Sequence, residues 1–316
     1  MEYNQNIENN ERYKELSHRI DEWLETFDAP FDTEKIWRQF NVLTRKGKQN
    51  VWTALDERVK HGELEFKFGK YRKINKSRKV LNFRSVDKKN FVPIKFPKAL
   101  LGDTTFGLEK LVRLFPKSII IIAGTKGGTK TAFCLNIVRE NMNNPELSEY
   151  FCKNSDQKPY TEEPMIAYFT NELSDEEFAD RLECFEDDMS MWNIIAEERH
   201  HNFADVIYPN KINIIDALEQ NTEAYIVADL IDDIHQKLDR GVAIIVMHKN
   251  FNAEYAAGGI YSAKKARLYL ILQGNTLNVK HSKKTVAGQT AEGRTWSFKL
   301  VDGAKYTNIA EKFNTQ

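Results

Sequence analysis

In the stretch "SIIIIAGTKGGTKTAFCLNIV", Ser118 to Val138, a lysine and a threonine close a glycine-bearing turn between an apolar run and a helical pattern. Gly124, Lys130 and Thr131 fall on the spacing G-x-x-x-x-G-K-[ST], and Thr129 stands where that pattern has its last glycine. Such a turn can hold phosphate. Backbone N–H groups surround the oxygens, the helix N-terminus adds positive potential, and one lysine reaches the outer phosphates. The expected contacts are Gly124, Thr125, Lys126, Gly127, Gly128, Thr129, Lys130, Thr131 and Ala132, with the Thr131 hydroxyl on a magnesium ion. Thr129 needs a negative φ and room for a branched side chain. Gly127 and Gly128, directly before it, can absorb the angles that it cannot. The alternative pattern K-G-G-x-G-K-[ST] needs two lysines five apart, and Lys126 and Lys130 are four apart.

Three more polar residues close apolar runs. Ligands of open α/β sheets bind at the carboxyl ends of strands. Glu172, past "AYFT", is placed to polarise a water attacking a terminal phosphate; the plainer reading is an exposed acid before a helix capped by Ser174. Asp216 ends "KINIID", as a second magnesium-site carboxylate would, or as a turn aspartate. His248 ends "VAIIVMH", where a polar side chain can sense the outermost phosphate or serve the fold alone.

The elements that must position these groups form an α/β pattern. Across 101–316, near-continuous apolar strands alternate with helices, which implies a mostly parallel sheet covered on both faces. Two antiparallel hairpins, "RLYLILQGNTLNVKHSKKT" and "RTWSFKLVDGAKYTNI", are expected at its edge. Residues 1–10 read as a disordered tip. Residues 11–79 hold three helices and a hairpin, the order of a small winged helix-turn-helix domain. Leu16, Ile20, Trp23, Leu24 and Phe27 share one helical face, Asp32 caps the second helix, and Gly62 stops the third. The hairpin is expected to turn at Gly69 and Lys70. Residues 80–100, with Pro93 and Pro97, read as a linker or lead-in strand.

Charge is unevenly spread. Between Arg45 and Lys79 there are twelve basic residues against four acids, while Thr161 to Arg199 holds thirteen acids against two arginines, so the net charge is zero. The basic block marks Lys46, Lys48, Arg58, Lys70, Arg72 and Lys73 as double-stranded DNA contacts, the third helix in the major groove and the wing on phosphate. The alternative is a winged helix for protein contact with solvated lysines. The acidic block reads as a solvated face or a dock for a neighbour's basic domain, and "EERHH" as surface.

The chain has 316 residues, 41% hydrophobic and 29% charged, enough for two domains with real cores. Its three cysteines make no C-x-x-C pair, against a zinc site or disulfide framework and for a reducing compartment. The polar, acidic start is no signal peptide, and no apolar run is long enough to span a bilayer. The expectation is a cytoplasmic protein with no membrane partner.

Taken together, "GLEKLVRLFPKSIIIIAGTKGGTKTAF", "YFTNELSDEEFADRL", "INIID" and "GVAIIVMHKN" resemble the RecA-like ATPase core, in the branch of DnaB-type helicases and RepA-like phage and plasmid ATPases. That branch continues its phosphate loop as G-K-T-A-F, matched by Lys130 to Phe133, and its F-S-x-E-M-S segment maps the catalytic glutamate onto Glu172. The usual glutamine at the fourth strand end is His248 here. The resemblance covers about Asp103 to Asn308. It implies ATP and magnesium as cofactors, with Lys130, Glu172 and His248 catalytic and Asp216 holding the metal. It implies a homo-oligomeric ring or filament in which a neighbour supplies a basic residue, with Lys280 and Lys283 foremost and Arg267, Lys284 and Arg294 also candidates. It also implies that the loop Asn250 to Arg267 holds single-stranded DNA through Tyr255, Tyr261, Lys264 and Lys265, with Gly258 and Gly259 giving mobility. An ordinary hairpin is the alternative for that loop. The implied role is a DNA-associated ATPase in replication or recombination of a phage, plasmid or mobile element. The competing roles are a nucleotide-binding DNA regulator or a filament former with little hydrolysis.

Overall fold

The computed structural model describes residues 2–76, 78, 80–81, 83–84, 91–102, 104–127, 129–152, 163–219, 224–283, 285–286 and 288–312. Gly128 of the expected phosphate loop and the candidate Lys284 lie outside the described residues. The chain divides into two units, Met1–Ser85 and Val86–Gln316.

In the first unit, α1 (Glu2–Thr26), α2 (Thr33–Gln39) and α3 (Arg45–Lys60) precede the hairpin of β1 (Leu64–Lys67) and β2 (Lys70–Lys73). α1 begins at Glu2, so most of the segment expected to be a disordered tip is helical. Asp32 caps α2 by accepting from the Lys35 N–H at 2.8 Å, and Thr44 caps α3 through the Gly47 N–H. Gly62 ends α3 at φ +67. Ile20, Leu24, Ile36, Val51, Ala54, Leu55 and Leu64 form the core, closed by Phe31 and Tyr71. Those two aromatics exchange both backbone hydrogen bonds, at 3.0 and 2.7 Å, and so lay a third extended segment beside the hairpin.

Two further sequence expectations fail in this unit. Arg58 was expected on DNA, but it is buried. Its guanidinium donates to Asp21 Oδ1 from Nε at 2.9 Å and Nη2 at 2.5 Å, and also to the Ala54 and Ser17 carbonyls. It sits on the same face of α3 as Val51, Ala54 and Leu55, so its position on the helix made it a clasp to α1. The hairpin turn was expected at Gly69 and Lys70, but Lys67 pairs with Lys70, which leaves Phe68 and Gly69 as the two-residue loop.

The second unit carries α4 (Leu108–Leu111), β3 (Ile119–Gly124), α5 (Lys130–Asn141), α6 (Pro145–Cys152), β4 (Ile166–Thr170), α7 (Asp175–Glu183), β5 (Ile195–Glu198), β6 (Ile212–Asp216), α8 (Ala224–Lys237) and β7 (Val242–His248). β8 (Ala266–Gln273), β9 (Thr276–Ser282), β10 (Thr295–Val301) and β11 (Lys305–Lys312) follow. They build one nine-stranded sheet in the order β11-β10-β9-β8-β3-β7-β6-β4-β5. β8 through β5 run parallel, and β9, β10 and β11 add antiparallel strands on one side. β8 was expected only as half of an edge hairpin, but it also pairs in parallel with β3 and so closes the central sheet.

Both faces are covered, which is why the strands lack alternation. Ile120 and Ile122 pack with Phe133, Leu135 and Val138 of α5, while Ile119, Ile121 and Ala123 pack with Val227, Ile231 and Ile234 of α8. Each such isoleucine contributes roughly 2 kcal/mol by burial. The segment expected as a linker or lead-in strand is in part core: Val92, Ile94, Phe96 and Ala99 are buried. Asn141, at the end of α5, supplies the backbone partner that a strand would have given. It accepts from the Lys95 N–H at 2.9 Å and donates to the Lys95 carbonyl at 2.7 Å. Among the described residues, no helix is long and apolar enough to cross a membrane.

Arg58→Ala is expected to destabilise the first unit by about 2–3 kcal/mol, since it removes the hydrogen bonds of a buried guanidinium and the packing of its stem. Lys46→Ala, at an exposed position, should fall within about 0.5 kcal/mol of the parent. Urea denaturation of the full chain checks both.

Candidate active site

Register brings the site together. In the parallel sheet Gly124 lies level with His248, and Thr170 with Asp216, so β3, β7, β6 and β4 end along one line. The turn after β3, the start of α5 and the first residues after β4 and β6 meet on that rim.

The loop answers the problem posed by Thr129. Thr129 takes φ −77° and ψ 21°, ordinary for a branched residue, and Gly127 takes the left-handed φ of +69°. The Thr129 hydroxyl makes no cap on α5. It is buried beside the hydroxyl of Tyr306 in β11, and so the side chain is housed by the edge strand. Gly124 is required for a different reason. A β-carbon there would lie 2.6 Å from the Leu272 carbonyl of β8, so this glycine permits close approach of two strands.

Lys130 is 5% exposed, and its Nζ donates to the Thr125 carbonyl at 2.8 Å. Burial lowers its pKa, against the opposing pull of the Asp216 and Glu172 carboxylates. Asp216 is buried at the end of β6. Tyr168 donates to its Oδ2 at 2.6 Å, while its Oδ1 is buried without a hydrogen-bond partner among the described residues. Burial raises the Asp216 pKa, partly offset by the Tyr168 and Thr131 hydroxyls. A buried carboxylate oxygen with a threonine hydroxyl beside it is a donor set suited to a hard divalent cation. Asn171 fixes the rim: its Oδ1 accepts from the Ala217 N–H at 2.8 Å, and its N–H donates to the Asp216 carbonyl at 3.3 Å.

Glu172 and His248 are in contact, with Nε2 2.9 Å from Glu172 Oε1 and 3.3 Å from Glu219 Oε1. The three ligand atoms lie within 4.8 Å of one another. Their side chains are 33–49% exposed, so this part of the rim is open to solvent while Asp216 is not. Ser174 caps α7, as read from the sequence, and Glu172 stands free of that cap. The sequence missed Glu219, Tyr168 and Asn171. Glu219 carried a faint signal, since it follows Asp216 by three residues just past a strand end. Tyr168 and Asn171 carried none, because nothing in their spacing tells which face of β4 meets Asp216.

The remaining candidates scatter. Lys280 pairs with Glu254 and lies over the Tyr255 ring, and Lys283 donates to the Lys264 carbonyl at 3.2 Å. Arg267 lies over Phe115, and Arg294 pairs with Glu311. Lys265 pairs with Asp232 at 2.7 Å, whereas Lys264 is exposed. Tyr255, expected as an open stacking face, is covered by Lys280 and meets Tyr269 edge-on. Tyr261 is exposed. Gly258 was expected to give mobility, yet it sits at φ +89° against Val227, where close packing demands a glycine. In the first unit, Lys48 lies over Trp37, Arg72 pairs with Glu65, and Lys73 donates to the Leu24 carbonyl at 3.0 Å, while Lys46 and Lys70 are exposed. The chain matches no protein-family model and no curated protein.

The raised Asp216 pKa fixes the sign of a stability effect. The folded carboxyl keeps its proton to higher pH than the unfolded one, so stability falls as pH rises from about 4 through the raised value. Asp216→Asn is therefore expected to raise the melting temperature at pH 8, with the gain fading as the pH approaches 4. A variant that is less stable at pH 8 would overturn this sign.

Proposed function

We propose that this chain is a magnesium-dependent ATPase of RecA-like type that works on DNA, in the replication or recombination of a phage, plasmid or mobile element. The observation that carries this reading is the meeting of Lys130, Thr131, Asp216, Glu172 and His248 along one rim of parallel strand ends. In it the backbone of residues 124–132 and the Lys130 ammonium bind the phosphates, while Thr131 and Asp216 hold magnesium. A magnesium ion held there by Thr131 and Asp216 would supply positive charge to the phosphoryl oxygens. Glu172 orients and deprotonates the attacking water. His248, level with Gly124 and touching Glu172, links the outermost phosphate to that carboxylate.

The first unit is read as a winged helix. Its helix order, its hairpin and the Phe31–Tyr71 pairing support that reading. Arg45, Lys46 and Gln49 are exposed on the first half of α3, and Thr53, Asp56, Glu57 and Lys60 on the second, where Lys60 pairs with Asp56, so the first half is the part suited to a DNA groove. The chain is read as a homo-oligomer, ring or filament, with no residue singled out as the trans contribution, because Lys280 and Lys283 both have partners within the chain.

A second reading, a nucleotide-binding regulator or filament former with little turnover, is favoured by one observation. Glu172 is held by His248 rather than free. Phosphate release measured with magnesium and with single- or double-stranded DNA separates the two. The first reading predicts DNA-stimulated turnover that is lost in Lys130→Ala. It also predicts that Glu172→Gln keeps ATP binding while kcat falls by about 10²–10⁴. Full stimulated turnover in Lys130→Ala would end it.

A further inference from the structure

Phe68 is the least explained apolar residue of the first unit. It occupies the first position of the two-residue loop between β1 and β2, at φ +51°, followed by Gly69 at φ +76°. A two-residue loop with positive φ at both positions is the type I′ hairpin turn, which strongly favours Asn-Gly. A bulky side chain in the left-handed region is disfavoured. Phe68 is also 100% exposed, so it returns no packing to the core. Both its conformation and its exposure oppose the stability of the hairpin.

The charges behind the tip are placed at a similar local cost. Lys67 and Lys70 are directly opposite in the ladder, on the same face as Glu65 and Arg72. Like charges facing each other across a strand pair are unfavourable. Lys67 and Arg72 share the Glu65 carboxylate, and Lys70 has no ion-pair partner among the described residues. The hairpin thus ends in a bare aromatic ring with two ammonium groups just behind it. On the other face Phe66 lies against Tyr71, ring centroids 4.6 Å apart, which stiffens the support.

We propose that this tip is a wedge for stacked nucleobases: Phe68 enters the base stack of duplex DNA while Lys67 and Lys70 take the phosphates on either side. Inserted apolar side chains flanked by cations are a general way to open a base step. The flanking positive charge selects the phosphate-bearing partner over a neutral apolar protein surface. The inference rests on the DNA-binding reading of the first unit, and it adds to that reading a base contact from the wing. The base step could be internal to a duplex or at a fork.

The test uses the full chain, with fluorescence anisotropy on an intact and a forked duplex, each carrying 2-aminopurine. Phe68→Ala is expected to weaken binding about tenfold, the size of one base–aromatic stack, and to abolish the rise in 2-aminopurine emission. Phe68→Trp should retain both, and the duplex that shows the rise identifies the step. Phe68→Asn restores the favoured turn and should raise the melting temperature while weakening binding, a combination that a structural role alone would not give. If Phe68→Ala and Phe68→Asn bind as tightly as the parent while Lys46→Ala binds more weakly, the wedge is wrong and the DNA reading stands. If the parent binds neither duplex, the DNA reading fails and the wedge with it. Phe68-dependent binding to phosphatidylserine vesicles, with DNA binding independent of Phe68, would overturn the wedge in favour of a lipid surface.

Discussion

Asp216 is a carboxylate in a place where water cannot reach it, and much of the second unit is arranged around that fact. A buried carboxyl costs stability unless its oxygens are satisfied or its charge is matched. One oxygen accepts from Tyr168, and the other is buried near the Thr131 hydroxyl, outside hydrogen-bond geometry with any of the described residues. Lys130, itself buried, supplies the matching positive charge nearby. The two groups perturb each other in the direction that keeps both ionised, while burial works against both. A sheet that ended β6 in a turn aspartate would have left that side chain in solvent. Here the parallel neighbours β4 and β7 enclose it, so its position is set by the register of three strands.

The same enclosure explains why the open part of the rim is elsewhere. Glu172 and Glu219 come from segments that have just left the sheet, His248 is the last residue of β7, and all three keep access to solvent. Protected and accessible carboxylates therefore stand side by side at the strand ends. The protected one suits a role that needs fixed geometry, and the accessible ones suit roles that need a water molecule or a moving proton.

Much of this was legible in the sequence, and the exceptions have physical causes. The strands that lie between two helical layers announced themselves by unbroken apolar runs, and Asp32, Ser174 and Gly62 marked helix ends by well-understood chemistry. β5 has little signal in the sequence because it is an edge strand, mostly exposed and ending in Glu197 and Glu198, with neither an apolar run nor clean alternation. Arg58 departs from the DNA-contact expectation because charge along the chain does not report position around the helix. One residue in the middle of a basic block faced inward. The segment 80–100, expected as a linker or lead-in strand, is hard to assign for a different reason. Its apolar residues do alternate, but two prolines hid the pattern, and the partner that holds it extended is a side chain, Asn141. Thr129 was read correctly as needing a negative φ with a glycine before it, but no local pattern could point to Tyr306, which is distant in sequence.

The hold of Asn141 on Lys95 has a mechanical meaning. The chain entering the second unit is gripped, through both its N–H and its carbonyl, by the last turn of a helix whose first residue is Lys130. Its neighbours are fastened as well: Asn144 donates to the Pro93 carbonyl, and the Leu100 N–H donates to the Tyr306 carbonyl of β11. A pull on this segment is therefore met at three anchors, at the end of α5, just past it and at the sheet edge.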